Sequence, residues 1–242
     1  YIDGIPLPLA SKLLPLRTRA NFALASHIHV HSKMQRDHAD DAGKNQVVKA
    51  KRATLSKKAL TALLESLAGA VEKLTWKMPD TEWGDYYANT NYSETAGAEK
   101  RALVDGFLES IPDSLRIVQD FGANTGEFSR IAAKHCQLVV SQDIDPVAVE
   151  INFRKSQSSE PANILPLIQN FSSPSPAIGW ANTERDSFIQ RSSCDALLVL
   201  ALVHHLAISN NVPLDRIAQL FSQIARWLVI EFVPKSDSQV ER

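Results

Sequence analysis

From about residue 115 onward, short apolar runs alternate with stretches in which apolar residues recur every three or four positions. The runs read as buried strands and the stretches as helices. Ile117 and Val118 close a first strand, and Phe128, Ile131 and Ala132 share one face of the helix that follows. Leu138, Val139 and Val140 form a second strand. Pro146 suits the first turn of a helix over residues 146–153. Residues 163–168 read as a third strand, and Ser172 to Pro176 as a loop. Residues 178–190 are a helix or an irregular insertion carrying Trp180. The clearest strand is residues 195–203. Pro213 then opens a helix with Leu214, Ile217, Leu220, Phe221, Ile224 and Leu228 on its apolar face, and residues 227–234 make a fifth strand. Strands and helices in strict alternation predict right-handed crossovers and a doubly wound, mainly parallel α/β sheet.

The first part of the chain has a different rhythm. Gly4, Pro6, Pro8 and Pro15 break residues 1–35 into short helical pieces and turns, with Leu9, Leu13 and Leu14 on one apolar face. Residues 22–34 read FALASHIHVHSKM. As a helix this places His27 and His31 one turn apart, a spacing open to a metal; as a strand it places His27, His29 and His31 on one face. No Cys, Asp or Glu at ligand spacing lies beside them, so a half-buried element with outward histidines is the simpler reading, and no metal site is assigned. Leu60, Leu63, Leu64, Leu67, Val71 and Leu74 follow at helical spacing, predicting an amphipathic helix over 57–76 with Ser56 as its N-cap. The stretch around residues 78–84 is the expected boundary. It separates an N-terminal helical region, 1–80, from the α/β domain, 81–242. A helix over 94–110 precedes the first strand.

Composition narrows the function. The 242 residues carry 26 basic and 27 acidic side chains and 44% hydrophobic residues, which excludes neither enzyme nor binding module but gives no sign of disorder. No apolar run is long enough to span a bilayer, so no membrane association is expected. Residues 44–58 carry Lys44, Lys49, Lys51, Arg52, Lys57 and Lys58 without an acid. Such a run can meet a phosphate backbone, but it lacks interleaved aromatics and the chain is not basic. A solvated loop and helix start is therefore preferred over nucleic-acid binding. Cys136 and Cys194 fall near the starts of separate strands, which argues against a disulfide and suits a reducing cytoplasm. The chain opens on Tyr1 rather than Met and stops abruptly at Gln239-Val-Glu-Arg242, and it reads as a fragment of a longer protein.

The chemistry concentrates in RIVQDFGANTGEF, residues 116–128. Strand, glycine turn and helix is an arrangement that brings a nucleotide-like ligand against backbone N–H groups. A Cβ would obstruct a close approach or a left-handed backbone angle. Asp143 ends the second strand about 20 residues beyond the first glycine, where an acid accepts hydrogen bonds from ribose hydroxyls.

The turn Asp120-x-Gly122-x-x-x-Gly126 with Asp143 after it resembles class I S-adenosylmethionine (SAM) dependent methyltransferases. It does not resemble nicotinamide dehydrogenases, whose G-x-G-x-x-G is absent. The stretches YIDGIPL, HIHVH, NYSETAGAEK, DFGANTGEFSRIA and LVHHLAISNNVPL, in that order, are similar to methyltransferases of the nodulation-protein class. The resemblance implies a Rossmann-like core with its C-terminal strands missing and SAM as cofactor. It implies a cofactor site formed by Asp120, Gly122, Ala123, Asn124, Gly126, Asp143, Ile144, Asn170, Phe171 and Ala201. Tyr87, Tyr92 and Lys100, from the segment ahead of the first strand, are further candidates, with Lys100 able to meet the cofactor carboxylate. Asn170 stands where related enzymes often carry an acid for the adenine amino group, and its side-chain carbonyl offers the same acceptor.

Methyl transfer from a sulfonium needs alignment and, for some acceptors, removal of a proton. One of His204 and His205, at the end of the fourth strand, is expected to position the acceptor or take its proton; the alternative is that both cap the strand end and hydrogen-bond to loops. The [DN]-P-P-[YFW] motif of amino-group methylating enzymes is absent after that strand, which counts against adenine N6 or glutamine amide as acceptor. The expected acceptor is an unidentified small molecule, protein or RNA. The alternative is an inactive scaffold that contacts a partner through its N-terminal helices.

Overall fold

The computed structural model describes residues 4–42, 56–81, 94–158 and 163–233. Tyr87, Tyr92, the suggested boundary over 82–84 and most of the lysine run over 44–55 lie outside the described residues. The chain divides into two compact units, Tyr1–Lys77 and Met78–Arg242.

The first unit is helical. Helix α1 spans Leu7–Leu13, with proline in its first turn, and a 3₁₀ turn covers Leu16–Ala20. Helix α2 (Phe22–Leu24) is capped by the Asn21 side chain, which accepts from the Leu24 N–H. It runs directly into a π-helical turn, Ala25–Val30, and then into α3, His31–Ala42. The histidine stretch is therefore helical, not extended. Helix α4 spans Lys57–Glu72 with Ser56 as its N-cap, its hydroxyl accepting from Ala59 N at 3.2 Å. It ends four residues earlier than its apolar spacing predicts, because the Lys73 and Leu74 N–H groups both turn back to Val71 O.

The second unit contains helix α5 (Glu94–Glu109), β1 (Leu115–Phe121), α6 (Glu127–Ala132), β2 (Cys136–Asp143) and α7 (Pro146–Gln157). It continues with β3 (Ile164–Ile168), α8 (Phe188–Arg191), β4 (Cys194–Val199), α9 (Leu214–Ile224) and β5 (Ala225–Ile230). All pairings are parallel and the sheet order is β3-β2-β1-β4-β5. The order reverses between β1 and β4, the point at which open α/β sheets bind ligands in a crevice beyond the carboxyl ends of their strands.

Both faces of the sheet are covered, which is why its central strands are continuous apolar runs rather than alternating ones. In β4, Ala196 and Leu198 join Val118, Val139, Phe128 and Leu108 on one side, where α5 and α6 pack. Leu197 and Val199 join Phe121, Phe188, Ile217 and Phe221 on the other, where α8 and α9 pack. Of the expected apolar face of α9, Ile217, Phe221 and Ile224 are buried, Leu214 is exposed, and Leu228 belongs to β5.

Several strand limits differ from the hydrophobic pattern. β1 runs three residues past Val118, to Phe121. β2 begins two residues earlier, at Cys136, in register with Leu115 of β1. β4 ends at Val199 rather than at residue 203, because its ladder partners Phe121 and Ile230 both end there. β5 starts at Ala225, paired with Cys194, and its ladder ends at Ile230 rather than at residue 234. Residues 178–190 form no single helix. Ile178 and Arg185 make an antiparallel bridge around a 3₁₀ turn, Trp180–Asn182, and α8 follows with a capping box from Ser187 and Gln190.

Candidate functional site

Asp120 is the penultimate residue of β1 and is buried with its carboxylate toward α6. The Ser129 hydroxyl donates to Asp120 Oδ2 at 2.6 Å and lies 2.7 Å from Ser141 Oγ on β2. Asn152 on α7 donates to Ser141 Oγ at 2.7 Å, and Arg130 reaches Asn152 Oδ1 at 3.4 Å and Thr125 O at 3.0 Å. A closed polar network therefore fixes α6, β2 and α7 behind the glycine turn. Burial pushes the Asp120 carboxyl up to about 6; the Ser129 hydrogen bond opposes this, and the nearby Asp143 charge adds to it.

The turn itself is tight. Gly122 and Gly126 both have left-handed backbone angles, φ 74° and 78°, and Asn124 between them has φ 50°. A Cβ on Gly126 would overlap the Asn152 amide, and one on Gly122 would press on Leu202, just beyond β4. The N–H groups of Gly122 and Ala123 both donate to Gln142 O. Asn124 N donates to Asp143 Oδ2 at 2.8 Å, Thr125 N to Asn124 Oδ1, and Gly126 N to Ala123 O. This corrects the view of the turn as a set of backbone donors for a ligand: each of those amides already has an acceptor inside the protein.

Asp143 ends β2 directly beside the turn. Its Oδ2 accepts from Asn124 N and its Oδ1 from Asp145 N at 2.9 Å, and burial raises its pKa. Two oxygens carry about four acceptor sites, so these bonds leave capacity for a ligand hydroxyl. Ile144, the next residue, is 56% exposed, an apolar side chain held open to solvent beside the acid. Asp145 then caps α7, accepting from Val147 N, and also accepts from the Thr81 hydroxyl at 2.6 Å.

The other expected residues divide. Ala201, just past β4, has φ 52°, so the chain leaves the sheet through a strained, left-handed residue, one position before the Leu202 that packs on Gly122. Lys100 on α5 lies 2.8 Å from Glu231, which follows β5, and 5.1 Å above the Phe128 ring. Both are largely buried, and Lys100 is close enough to favour ionisation of Asp120. Asn170 Oδ1, expected to face adenine, accepts instead from Ser172 N, Ser172 Oγ and Ser173 N. Its lone pairs close a local turn in this conformation. Phe171 stacks on Phe121 with ring centroids 4.1 Å apart and so contributes to the second core cluster. His204 and His205 sit not on the strand but in the helical turn after it, continuing into a π-helical turn, His205–Ser209. Their rings are 4.1 Å apart, both half-buried. π-turns of this kind recur at functional sites.

The N-terminal histidines belong to the first unit. His29 is hydrogen-bonded to Ser11 Oγ and Thr18 Oγ1, at 2.8 and 2.9 Å, and His27 to Ser66 Oγ. Among the described residues no three His, Cys, Asp or Glu side chains form a metal-binding group. Cys136 and Cys194 are free thiols at the starts of β2 and β4, with pKa values pushed up by burial to about 11 and about 12. They are poor nucleophiles. No described helix is long and apolar enough to cross a membrane.

Ser129, Ser141, Asn152, Thr81 and Glu231 were not singled out from sequence. Only Glu231 left a signal there, as a lone acid ending an apolar run.

No family model matches the chain. Among solved structures, it is similar to monomeric WbdD, at 15% identity and TM-score 0.45, over 71% of this chain and 40% of that one. It is also similar to the N-methyltransferase NodS from Bradyrhizobium japonicum WM9, determined in complex with S-adenosyl-l-homocysteine, at 14% identity and TM-score 0.36, over 48% and 50%. In sequence it is 34% identical to nodulation protein NoeA of Rhizobium meliloti (strain 1021) over 244 aligned residues, covering all of this chain and 50% of that protein. The chain is thus a distant relative of a nodulation protein, half of whose length it spans, built on an open five-stranded parallel sheet of order 3-2-1-4-5.

Proposed function

We propose that the crevice beyond β1, β2 and β4 binds SAM and that the protein transfers its methyl group to an acceptor still to be identified. One observation carries this reading. The turn from Gly122 to Gly126 permits close approach but has its own amides satisfied, while the Asp143 carboxylate and the exposed Ile144 stand beside it. A phosphate ligand would need those amides; a nucleoside lacking phosphate needs a carboxylate for its ribose and an apolar surface for its base. SAM fits this donor set. When bound, it supplies an activated methyl group on a positively charged sulfur.

In this reading Asp143 accepts from the ribose hydroxyls and Ile144 supports the adenine. Lys100, whose charge favours ionisation of Asp120, would meet the cofactor carboxylate, although Glu231 already lies against it. His204 and His205 stand beyond β4, where they orient the acceptor or take its proton.

A second reading, cofactor-like binding without turnover, draws on the same details. Lys100 is ion-paired with Glu231, and the Asn170 carbonyl is engaged in its own turn. Product formation with a panel of acceptors separates the two.

The test of the binding reading is calorimetric titration with SAM and S-adenosylhomocysteine. Asp143→Ala is compared, but Asp143 also holds the turn, so Ile144→Asp, at an exposed position, is measured beside it. Binding that both variants weaken supports the site. Binding unaffected by Ile144→Asp, or none by the folded chain, overturns it. For catalysis, His204→Ala and His205→Ala are expected to lose turnover while keeping cofactor affinity; full activity in both removes them from the mechanism.

A further inference from the structure

Helix α4 is turned inside out relative to its own unit. The residues it half-buries are the small ones, Ser66, Gly69 and Ala70, with Ser66 hydrogen-bonded to His27. Its large apolar side chains face outward: Leu60, Leu64, Leu67 and Val71 are 47%, 56%, 44% and 59% exposed. Those four are spaced four, three and four residues apart, the seam of a helix that packs on another helix. The stripe extends over the helix's length, so it is a face and not a scattered set of exposed residues.

The stripe is also palindromic. Turned end for end about its midpoint, between Leu64 and Leu67, Leu60 falls on Val71 and Leu64 on Leu67. Charge runs in the matching sense, two residues off the mirror positions of the stripe. The amino end of α4 carries Lys57 without an acid, and the carboxyl end carries Glu72. On the helix these two lie on the same flank of the stripe, so an antiparallel copy would bring each lysine toward the other's glutamate.

We propose that α4 pairs with α4 of a second copy of this chain, antiparallel about a two-fold axis, with Leu64 packed on Leu67 of its partner at the centre and Lys57 beside Glu72 of its partner at each end. Such an isologous contact repeats every interaction twice. Each buried leucine contributes twice, so the apolar stripe supplies the affinity and the ion pairs fix the antiparallel direction.

Sedimentation equilibrium of the chain tests this at up to about 100 µM. A dimer is expected. Leu64→Glu places two carboxylates at its centre and is expected to weaken it by about 100-fold or more. Lys57→Glu opposes like charges and weakens it several-fold, and Lys57→Glu/Glu72→Lys restores it, because the swapped charges again face opposite ones. All three positions are exposed, and helical content by circular dichroism checks that the variants fold. A monomer throughout the range overturns the proposal. So does a dimer indifferent to Leu64→Glu, or a double swap that fails to restore association. A monomer that instead cosediments with phosphatidylglycerol vesicles overturns it in favour of a bilayer covering the stripe.

Discussion

Gly126 is packed against the side-chain amide of Asn152, in the space a Cβ would need. The contact joins the glycine turn to α7 through a side chain that also donates to Ser141 on β2. Two demands therefore fall on one residue: a left-handed backbone angle and room for an amide.

Gly126→Ala is expected to destabilise the protein by about 2–4 kcal/mol, combining the strained φ with the overlap. Trimming the neighbour removes only the second part. The double variant with Asn152→Ala should therefore be less destabilised than the sum of the single changes. Urea denaturation of the four proteins measures this. Strict additivity would show that the overlap plays no part.

Asp120 makes stability depend on pH. Its folded pKa, about 6, lies above the ordinary 3.8 because burial disfavours the charge. Below 3.8 both folded and unfolded chains hold the proton. As pH rises from 3.8 to about 6 the unfolded chain releases it first, so this residue lowers stability across that window and the loss then levels off. The difference corresponds to on the order of 3 kcal/mol. Asp120→Asn should flatten this part of a urea-midpoint profile. Ser129→Ala removes the hydroxyl that favours the charged form and should extend the window at its upper end.

The strand pattern and the glycine turn were legible in sequence for a simple reason. A strand covered on both faces, such as β4, leaves an unbroken apolar run, and a turn with two positive φ angles leaves glycines. The end of β4 was not legible. Apolar residues continue through Val203, but pairing stops at Val199, which is set by the lengths of β1 and β5. The network of Asp120, Ser129, Ser141 and Asn152 was hidden because each residue, taken singly, is an ordinary polar residue; only the fold brings together positions up to 32 apart. The local use of the Asn170 carbonyl depends on Ser172 and Ser173, a turn chemistry that an analogy to an acid at this position does not reveal.

Asp195 holds the start of β1 from its neighbour. One carboxylate oxygen accepts from both Arg116 N and Ile117 N, at 2.8 and 2.9 Å, and these bonds hold its pKa below the usual value. A lowered folded pKa gives stability that is present above 3.8 and lost as pH falls through the lower folded value. Asp195→Ala should cost about 1–2 kcal/mol at neutral pH. Amide exchange at Ile117 should accelerate with it. Unchanged exchange would mean that β1 is fixed by its ladder alone.

Lys100 and Glu231 provide the sharpest test of how the crevice treats a charged ligand. Their ion pair, at 2.8 Å, bridges α5 to the residue following β5, and a carboxylate already lies where Lys100 would meet the cofactor's own. If Lys100 binds that group, Glu231 competes with it. Glu231→Gln keeps a similar shape without the charge and should tighten SAM binding several-fold. Lys100→Met keeps much of the aliphatic stem and should weaken it by about 10-fold or more. Both values come from the same calorimetric titration. Opposite shifts assign Lys100 to the cofactor carboxylate. Equal losses in both variants would show that the pair serves only to anchor α5, and no change in either would place the carboxylate elsewhere in the crevice.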